Sequence, residues 1–236
     1  MNKKKNVIAI LGGMGPQASA KLVEILIDKS IKDFAAKNGD DFPEIILDSI
    51  PIPDFISDPK NIKPVLAILS KRIKFLSKID ISSFAIACNT AHQLFDDLQA
   101  KTKTQIVSTI NEVTVQVNKK KIVRVGLLAS PSTLQFGLFD DAFKQFNIEV
   151  VHPTENQQKT LEKIIRRIIG GNILPSDQLK LILIADSLQR QGAQGIILGC
   201  TELPLIFPKQ FTIPIFNSLE ILANALLLKF HEGNTI

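Results

Sequence analysis

The chain of 236 residues has no tyrosine and no tryptophan, two cysteines and three histidines. Each shortage excludes something. Two cysteines, Cys88 and Cys200, cannot build a disulfide framework, nor can they alone complete a four-ligand zinc site. If either matters, it matters as a thiol. His92, His152 and His231 are too scattered for metal-ligand spacing, so no metal is expected. Without tyrosine or tryptophan, no basic stretch carries such rings for nucleobases to stack on. The formal net charge of +5 gathers partly at Lys3, Lys4 and Lys5 and at Lys119, Lys120 and Lys121. These runs read as solvated tips, and no nucleic-acid partner is expected. A milder use of the charge is to attract an anionic substrate. No apolar run approaches the length that spans a bilayer, so no membrane partner is expected either. Gly12, Gly13 and Gly15 lack both the phosphate-loop lysine and the dinucleotide fingerprint spacing.

What is present is ordinary for a globular protein: 45% hydrophobic and 22% charged residues, which excludes a disordered tail or a fibrous repeat. The opening admits two readings. Lys3–5 followed by Val7 to Leu11, with Ala18-Ser19-Ala20 beyond, resembles a signal peptide. A buried strand entering a glycine turn explains the same letters, and Gly12-Gly13 interrupts the apolar run after five residues. The strand reading is preferred, and the cytoplasm, where thiols stay reduced, is the expected address.

Short apolar runs alternate with helical patterns. Strands are expected at residues 6–11, 44–50, 83–87, 105–110, 124–129, 149–152, 195–198 and 214–216. Helices are expected at 17–36, 61–76, 91–98, 133–146, 157–169, 176–191 and 219–229. Ser176 and Asp177 are candidate caps, and Gly170-Gly171 is a stop. Near-continuous apolar strands imply a sheet covered on both faces, hence an α/β fold of βα units with parallel strands.

The two halves echo each other. The strand entering Gly12-Gly13 can be laid on the strand entering Ala129-Ser130, and the segment around Cys88 on that around Cys200. The offsets are 117 and 112 residues. Two similar domains follow, residues 1–110 (completed by a helix within 217–236) and 111–216. Both cysteines fall at expected strand-to-helix turns, where open parallel sheets bind ligands. Two such halves packed face to face would point both thiols into one cleft.

A lone cysteine is most often inert packing. Here polar residues follow each thiol, Asn89-Thr90 and Thr201-Glu202, where a core would continue apolar. A following helix would offer backbone N–H groups that favour a thiolate and bind a carboxylate. Two thiols flanking a carbon acid suit inversion: one removes a proton, the other returns one to the opposite face. The developing enolate-like charge needs fixed donors. The amides of the turns at 12–15 and 130–133 and the side chains of Asn89, Thr90 and Thr201 are candidates.

Gly12-Gly13-Met14-Gly15-Pro16, Cys88-Asn89-Thr90-Ala91-His92 and Gly199-Cys200-Thr201-Glu202-Leu203-Pro204 together resemble the aspartate/glutamate racemase family, most closely its aspartate racemase branch. The resemblance implies two flavodoxin-like domains with the active site in the cleft between them, no cofactor, a small amino-acid substrate and a homodimer. It implies Cys88 and Cys200 as catalytic acid/bases, with Gly12, Met14, Asn89, Thr90, Ser130, Thr133, Thr201 and Glu202 around the substrate. Glutamate racemases of that family typically open with Asp-Ser-Gly and carry Cys-Thr-His second, unlike this chain. Its aspartate racemases often place an arginine after a Pro-Asp pair and a lysine before a glycine. Here Phe55 and Ile169 stand there, and Phe136 occupies a usually small polar position. Loss of both cations removes the obvious counter-charges for a second carboxylate.

His92 is open to two readings, a proton relay or a residue packing the start of its helix. Glu202 is open to three: tuning Cys200, orienting a substrate amine, or an exposed helix-start carboxylate without a role. Two rivals to amino-acid racemisation also stand. One is isomerisation of a related carbon acid, such as a hydantoin or a less acidic amino acid. The other is carboxylate binding without turnover.

Overall fold

A computed structural model describes residues 7–55 and 59–232. The expectations for Lys3, Lys4, Lys5, Asn6 and residues 233–236 lie outside that range. The chain divides into two units, Met1–Thr109 with Leu219–Ile236, and Ile110–Ser218.

In the first unit the order is β1 (Val7–Gly12), α1 (Pro16–Phe34), β2 (Glu44–Ser49), α2 (Ile62–Leu76), β3 (Ile81–Ile86), α3 (Phe95–Gln99) and β4 (Ile106–Val107). The helix α9 (Ser218–Glu232) returns to it from the far end of the chain. All strand pairs are parallel and the sheet order is β2-β1-β3-β4. Side chains alternate across a strand, so β1 divides its apolar residues between two cores. Val7, Ala9 and Leu11 pack with Val65, Leu69 and Ile73 of α2. Ile8 and Ile10 pack with Leu22 and Leu26 of α1 and with Leu222 and Leu226 of α9. Burial on both faces is why this strand reads as a continuous apolar run.

The second unit repeats the plan. Its order is α4 (Thr109–Lys119), β5 (Arg124–Leu128), α5 (Pro131–Gln135), α6 (Leu138–Lys144), β6 (Glu149–Val151), α7 (Glu155–Ile169), α8 (Pro175–Arg190), β7 (Ile196–Leu198) and β8 (Ile215–Asn217). The sheet order is β6-β5-β7-β8, again parallel. Leu128, Ile196 and Leu198 pack with Leu161, Ile164 and Ile165 of α7 and Leu181 and Leu188 of α8. Strand for strand, the two sheets have the same order.

Several expectations need correction. The strand foreseen at 105–110 is only Ile106–Val107, and a helix, α4, begins at Thr109. The helix foreseen at 133–146 breaks into α5 and α6 because Gly137 takes a left-handed conformation, φ 59°. Residues 91–98 form a 3-10 turn, Thr90–Leu94, before the single short turn of α3. Asp177 is not the N-cap of α8 but its third residue. There it accepts the Leu174 N–H at 3.0 Å and a bidentate pair from Arg167 at 2.8 and 2.6 Å.

Candidate active site

In each sheet the chain turns to opposite sides of its first strand, so a switch point lies between β1 and β3 and another between β5 and β7. The loops leaving those strands hold most of the foreseen site residues. Cys88 follows the end of β3 by two residues, and Cys200 follows the end of β7 by two. The approach is the same in both: Ala87 N–H donates to the Leu11 carbonyl at 2.9 Å, and Gly199 N–H to the Leu128 carbonyl at 2.7 Å. A side chain at position 199 would drive its Cβ to 2.6 Å from Leu127 Cδ1, so glycine is needed beside Cys200. Both thiols are buried and neither forms a disulfide.

Around Cys88, Asn89, Thr90 and His92 are all buried. His92 Nδ1 lies 3.0 Å from the Cys88 carbonyl oxygen, and the Thr109 N–H donates to Nε2 at 3.0 Å. Burial lowers its pKa to about 4, against hydrogen bonds with the backbone of Cys88 and Asn89. Both ring nitrogens are therefore engaged by backbone and the ring is neutral. Of the two sequence readings, packing fits and a proton relay does not.

Around Cys200, the polar groups are different in kind. The thiol donates to Glu202 Oε2 at 2.9 Å, and the Thr201 hydroxyl donates to the same oxygen at 3.1 Å. Glu202 is 2% exposed, so of its three readings the exposed helix-start carboxylate falls away. Burial raises its pKa, while the Cys200 and Thr201 donors oppose that rise. Among the described residues, its Oε1 has no hydrogen-bond partner.

The loops after β1 and β5 also differ. Gly13 sits at φ 90°, and a Cβ there would meet the Ile50 carbonyl at 2.4 Å. Its N–H is bound by Ser19 Oγ at 3.0 Å, so the Gly12–Gly15 turn does not offer that amide to a substrate. Gly12 has no room for a side chain beside Ser19, and Met14 is buried in the unit's core. In the second unit, Ser130 caps α5: its Oγ accepts the Thr133 N–H at 3.2 Å and lies 2.9 Å from Thr133 Oγ1. That amide too is engaged.

The helix argument for activating the thiols also needs correction. Five residues of 3-10 helix follow Cys88, and only three, Leu203–Leu205, follow Cys200. Neither is long enough to supply a substantial dipole. Glu202 meets the Cys200 thiol directly. Of the residues marking departure from dicarboxylate recognition, Phe55 is buried in the core beside α2 and Ile169 packs on the α7–α8 core. Phe136, at the end of α5, is over one-third exposed. Among the described residues, no cluster of three or more potential ligands is placed to hold a metal ion. None of their helices is long and apolar enough to cross a membrane.

Two units, each a sheet of four parallel strands flanked by helices, match the racemases in fold, and the protein is an isomerase of that class. The chain belongs to the Asp/Glu/Hydantoin racemase family, whose profile matches residues 11–226. An aspartate racemase homologue from Pyrococcus horikoshii superposes with a TM-score of 0.80 at 28% identity, over 96% of this chain and 99% of its own. For the aspartate racemase of Picrophilus torridus the values are 0.82 and 28%, over 96% and 94%. In sequence, the chain is 27% identical over 224 residues to a broad specificity amino-acid racemase of Bacillus subtilis, spanning 93% of this chain and 96% of that one.

Proposed function

We propose that the protein racemises an amino acid without a cofactor, with Cys88 and Cys200 as the two acid/bases. The observation that supports this most is the matched placement of the chain's two thiols, each two residues beyond the second strand of its switch point. One thiolate removes the α-proton; the electron pair left on carbon delocalises into the substrate carboxylate; the opposite thiol then donates its proton to the other face. The enzyme ends with the protonation states of its two cysteines exchanged, and the reverse reaction restores them.

Glu202 gives Cys200 a way to change state. With Glu202 ionised, the thiol is held as a donor; when the proton crosses to Glu202, the thiolate is left as base. Burial favours protonated Glu202 and the two donors favour its carboxylate, so the two states are drawn together in energy. Asn89, Thr90, Thr201, Ser130 and Thr133, with the turn of Gly12 and Met14, are the proposed substrate-side groups.

Aspartate and glutamate are the first substrates to test. A second reading, a less acidic side chain, draws on the arginines. Arg72, Arg124, Arg166 and Arg167 are each paired with a carboxylate of their own unit, Asp48, Glu149, Glu162 and Asp177. Arg190 closes α8 just before β7 begins, at the sheet edge opposite Cys200. These guanidinium groups are thus spoken for or remote from the strand ends. The relative with broad specificity fits the same reading.

The test incubates each enantiomer of an amino-acid panel with the protein in deuterated buffer. Inversion with one deuterium at the α-carbon is expected. Ligand-dependent thermal stabilisation with no exchange on any substrate would instead make it a binding protein.

A further inference from the structure

His92 takes no part in the proton transfers, yet its two hydrogen bonds join distant parts of the first unit. A carbonyl only accepts and an amide N–H only donates, so its partners fix the tautomer. The proton sits on Nδ1, facing the Cys88 carbonyl, and the Nε2 lone pair faces the Thr109 N–H, both at 3.0 Å. The Phe95 ring stacks on it with centroids 5.8 Å apart. Thr109 is the residue at which the chain leaves the first unit. The other crossing carries a comparable tie. Ser218, the last residue of the second unit, donates its buried hydroxyl to the Leu198 carbonyl at 2.8 Å, two residues before Cys200. At each crossing, a buried side chain binds the departing chain to the strand end that bears a thiol.

We propose that His92 is a positioning residue for Cys88: one neutral imidazole, protonated on Nδ1, clamps the Cys88 carbonyl to the Thr109 amide and so holds the thiol in line for proton transfer. The kinetic part of this rests on Cys88 as an acid/base. Such a clamp acts on the rate of the chemical step, because small misplacements of a reacting group cost far more in turnover than in binding.

Two measurements test it. The ¹⁵N resonances of His92 read the clamp without reference to catalysis. A neutral ring protonated on Nδ1 is expected throughout the neutral range. A ring protonated on Nε2, or one that titrates near the ordinary value of about 6.5, overturns the clamp. Kinetics then compare three variants. His92→Asn keeps a donor for the Cys88 carbonyl, His92→Gln keeps an acceptor for the Thr109 amide, and His92→Leu keeps neither. A fall in kcat of roughly tenfold with KM changed less than about twofold is expected for His92→Leu, with most of the loss restored in His92→Asn and less in His92→Gln. A lower Tm with unchanged kcat would assign His92 to stability alone and overturn the proposal. If His92→Leu does not fold, the Asn–Gln comparison decides, and Gln matching or exceeding Asn overturns it. Wild-type protein that neither racemises nor exchanges sinks the acid/base reading, while the resonances still judge the clamp.

Discussion

The two units share a strand order and place a cysteine at the same step beyond the same strand, yet the two thiols have unlike neighbours. At Cys88 the nearby titratable group is a neutral histidine bound to the backbone carbonyl. At Cys200 it is a buried carboxyl bound to the thiol itself. Duplicated topology therefore decides where a thiol stands, and a few side chains decide what proton chemistry it has. A reaction that is symmetric in its equilibrium is, on this reading, run by two unequal bases.

The largest expected effect tests whether both thiols are needed. Cys88→Ser and Cys200→Ser should each lower racemisation by about 10²- to 10⁴-fold, the usual range for removing a positioned acid or base. Circular dichroism of the product and mass analysis of deuterium uptake check this together. Each variant should retain exchange, without inversion, of the one enantiomer that its remaining thiol can deprotonate. Full activity in both variants would sink the two-thiol mechanism, and loss in only one would make the matched placement coincidental.

A second test concerns stability and separates the two titratable neighbours. His92 is lowered from 6.5 to about 4 by burial. Its neutral form is thus favoured in the folded state, and the unfolded chain binds more protons between those values. The stabilisation is fully present above about pH 6.5 and is lost as pH falls through about 4, a change on the order of 3 kcal/mol. Its partners are the Cys88 carbonyl, the Thr109 amide and the Phe95 ring, and no charged group contributes to the shift. Glu202 moves the opposite way, since its raised value means the folded state binds the extra proton. Its contribution is present below its unfolded value and fades as pH rises through the folded one. Urea unfolding of wild type and His92→Asn across this range should show the acid-side loss largely gone in the variant.

Much of this arrangement was legible in the sequence. The β1 run and its glycine turn stand out because burial on both faces demands unbroken apolar letters and Gly13 needs a positive φ. The cysteine pair was found because both copies of the strand end kept it. The α4 helix was not found, because Val113, Thr114, Val115 and Val117 have β-favouring side chains. Burial of Val113 and Val117 on one helical face overrode that preference. Nor could sequence show that Glu202 turns inward onto Cys200, since a contact between residues two apart depends on the local turn. The His92 tie to Thr109 spans 17 residues and depends on how the loops after β3 and β4 come together.

A smaller effect sharpens the inequality of the two bases. Glu202→Gln keeps an acceptor for Cys200 and Thr201 but cannot take the thiol's proton. A fall in kcat/KM of roughly tenfold is expected, at the lower edge of general-base effects. It must be the same for both enantiomers, because they are equal in energy. The asymmetry appears instead in the isotope effect. Deprotonation by Cys200 becomes more rate-limiting, so the α-deuterated enantiomer that it attacks should show the larger increase. Equal increases for both enantiomers would remove Glu202 from the Cys200 step.

The smallest effect lies in the first loops, where the units differ most in backbone. Gly13 and Ser130 are equivalent by sequence, but Gly13 takes φ 90° and its N–H donates to an acceptor outside the loop, Ser19 Oγ. Ser130 takes φ −67° and supplies its own cap to α5 through the Thr133 amide. Serine thus does in the second unit, by a side chain, what the first unit does with a bare backbone and a distant hydroxyl. Ser130→Ala should lower stability by about 1 kcal/mol, the usual cost of losing an N-cap, measured as a shift in the urea midpoint with unchanged slope. Ser19→Ala removes the corresponding support in the first unit and should cost a comparable amount, since its hydroxyl serves both the Gly13 amide and, at 2.9 Å, the Gly15 carbonyl. If Ser130→Ala is neutral while Ser19→Ala is not, the two loops are not equivalent in energy, and the likeness of the units ends at the strand order.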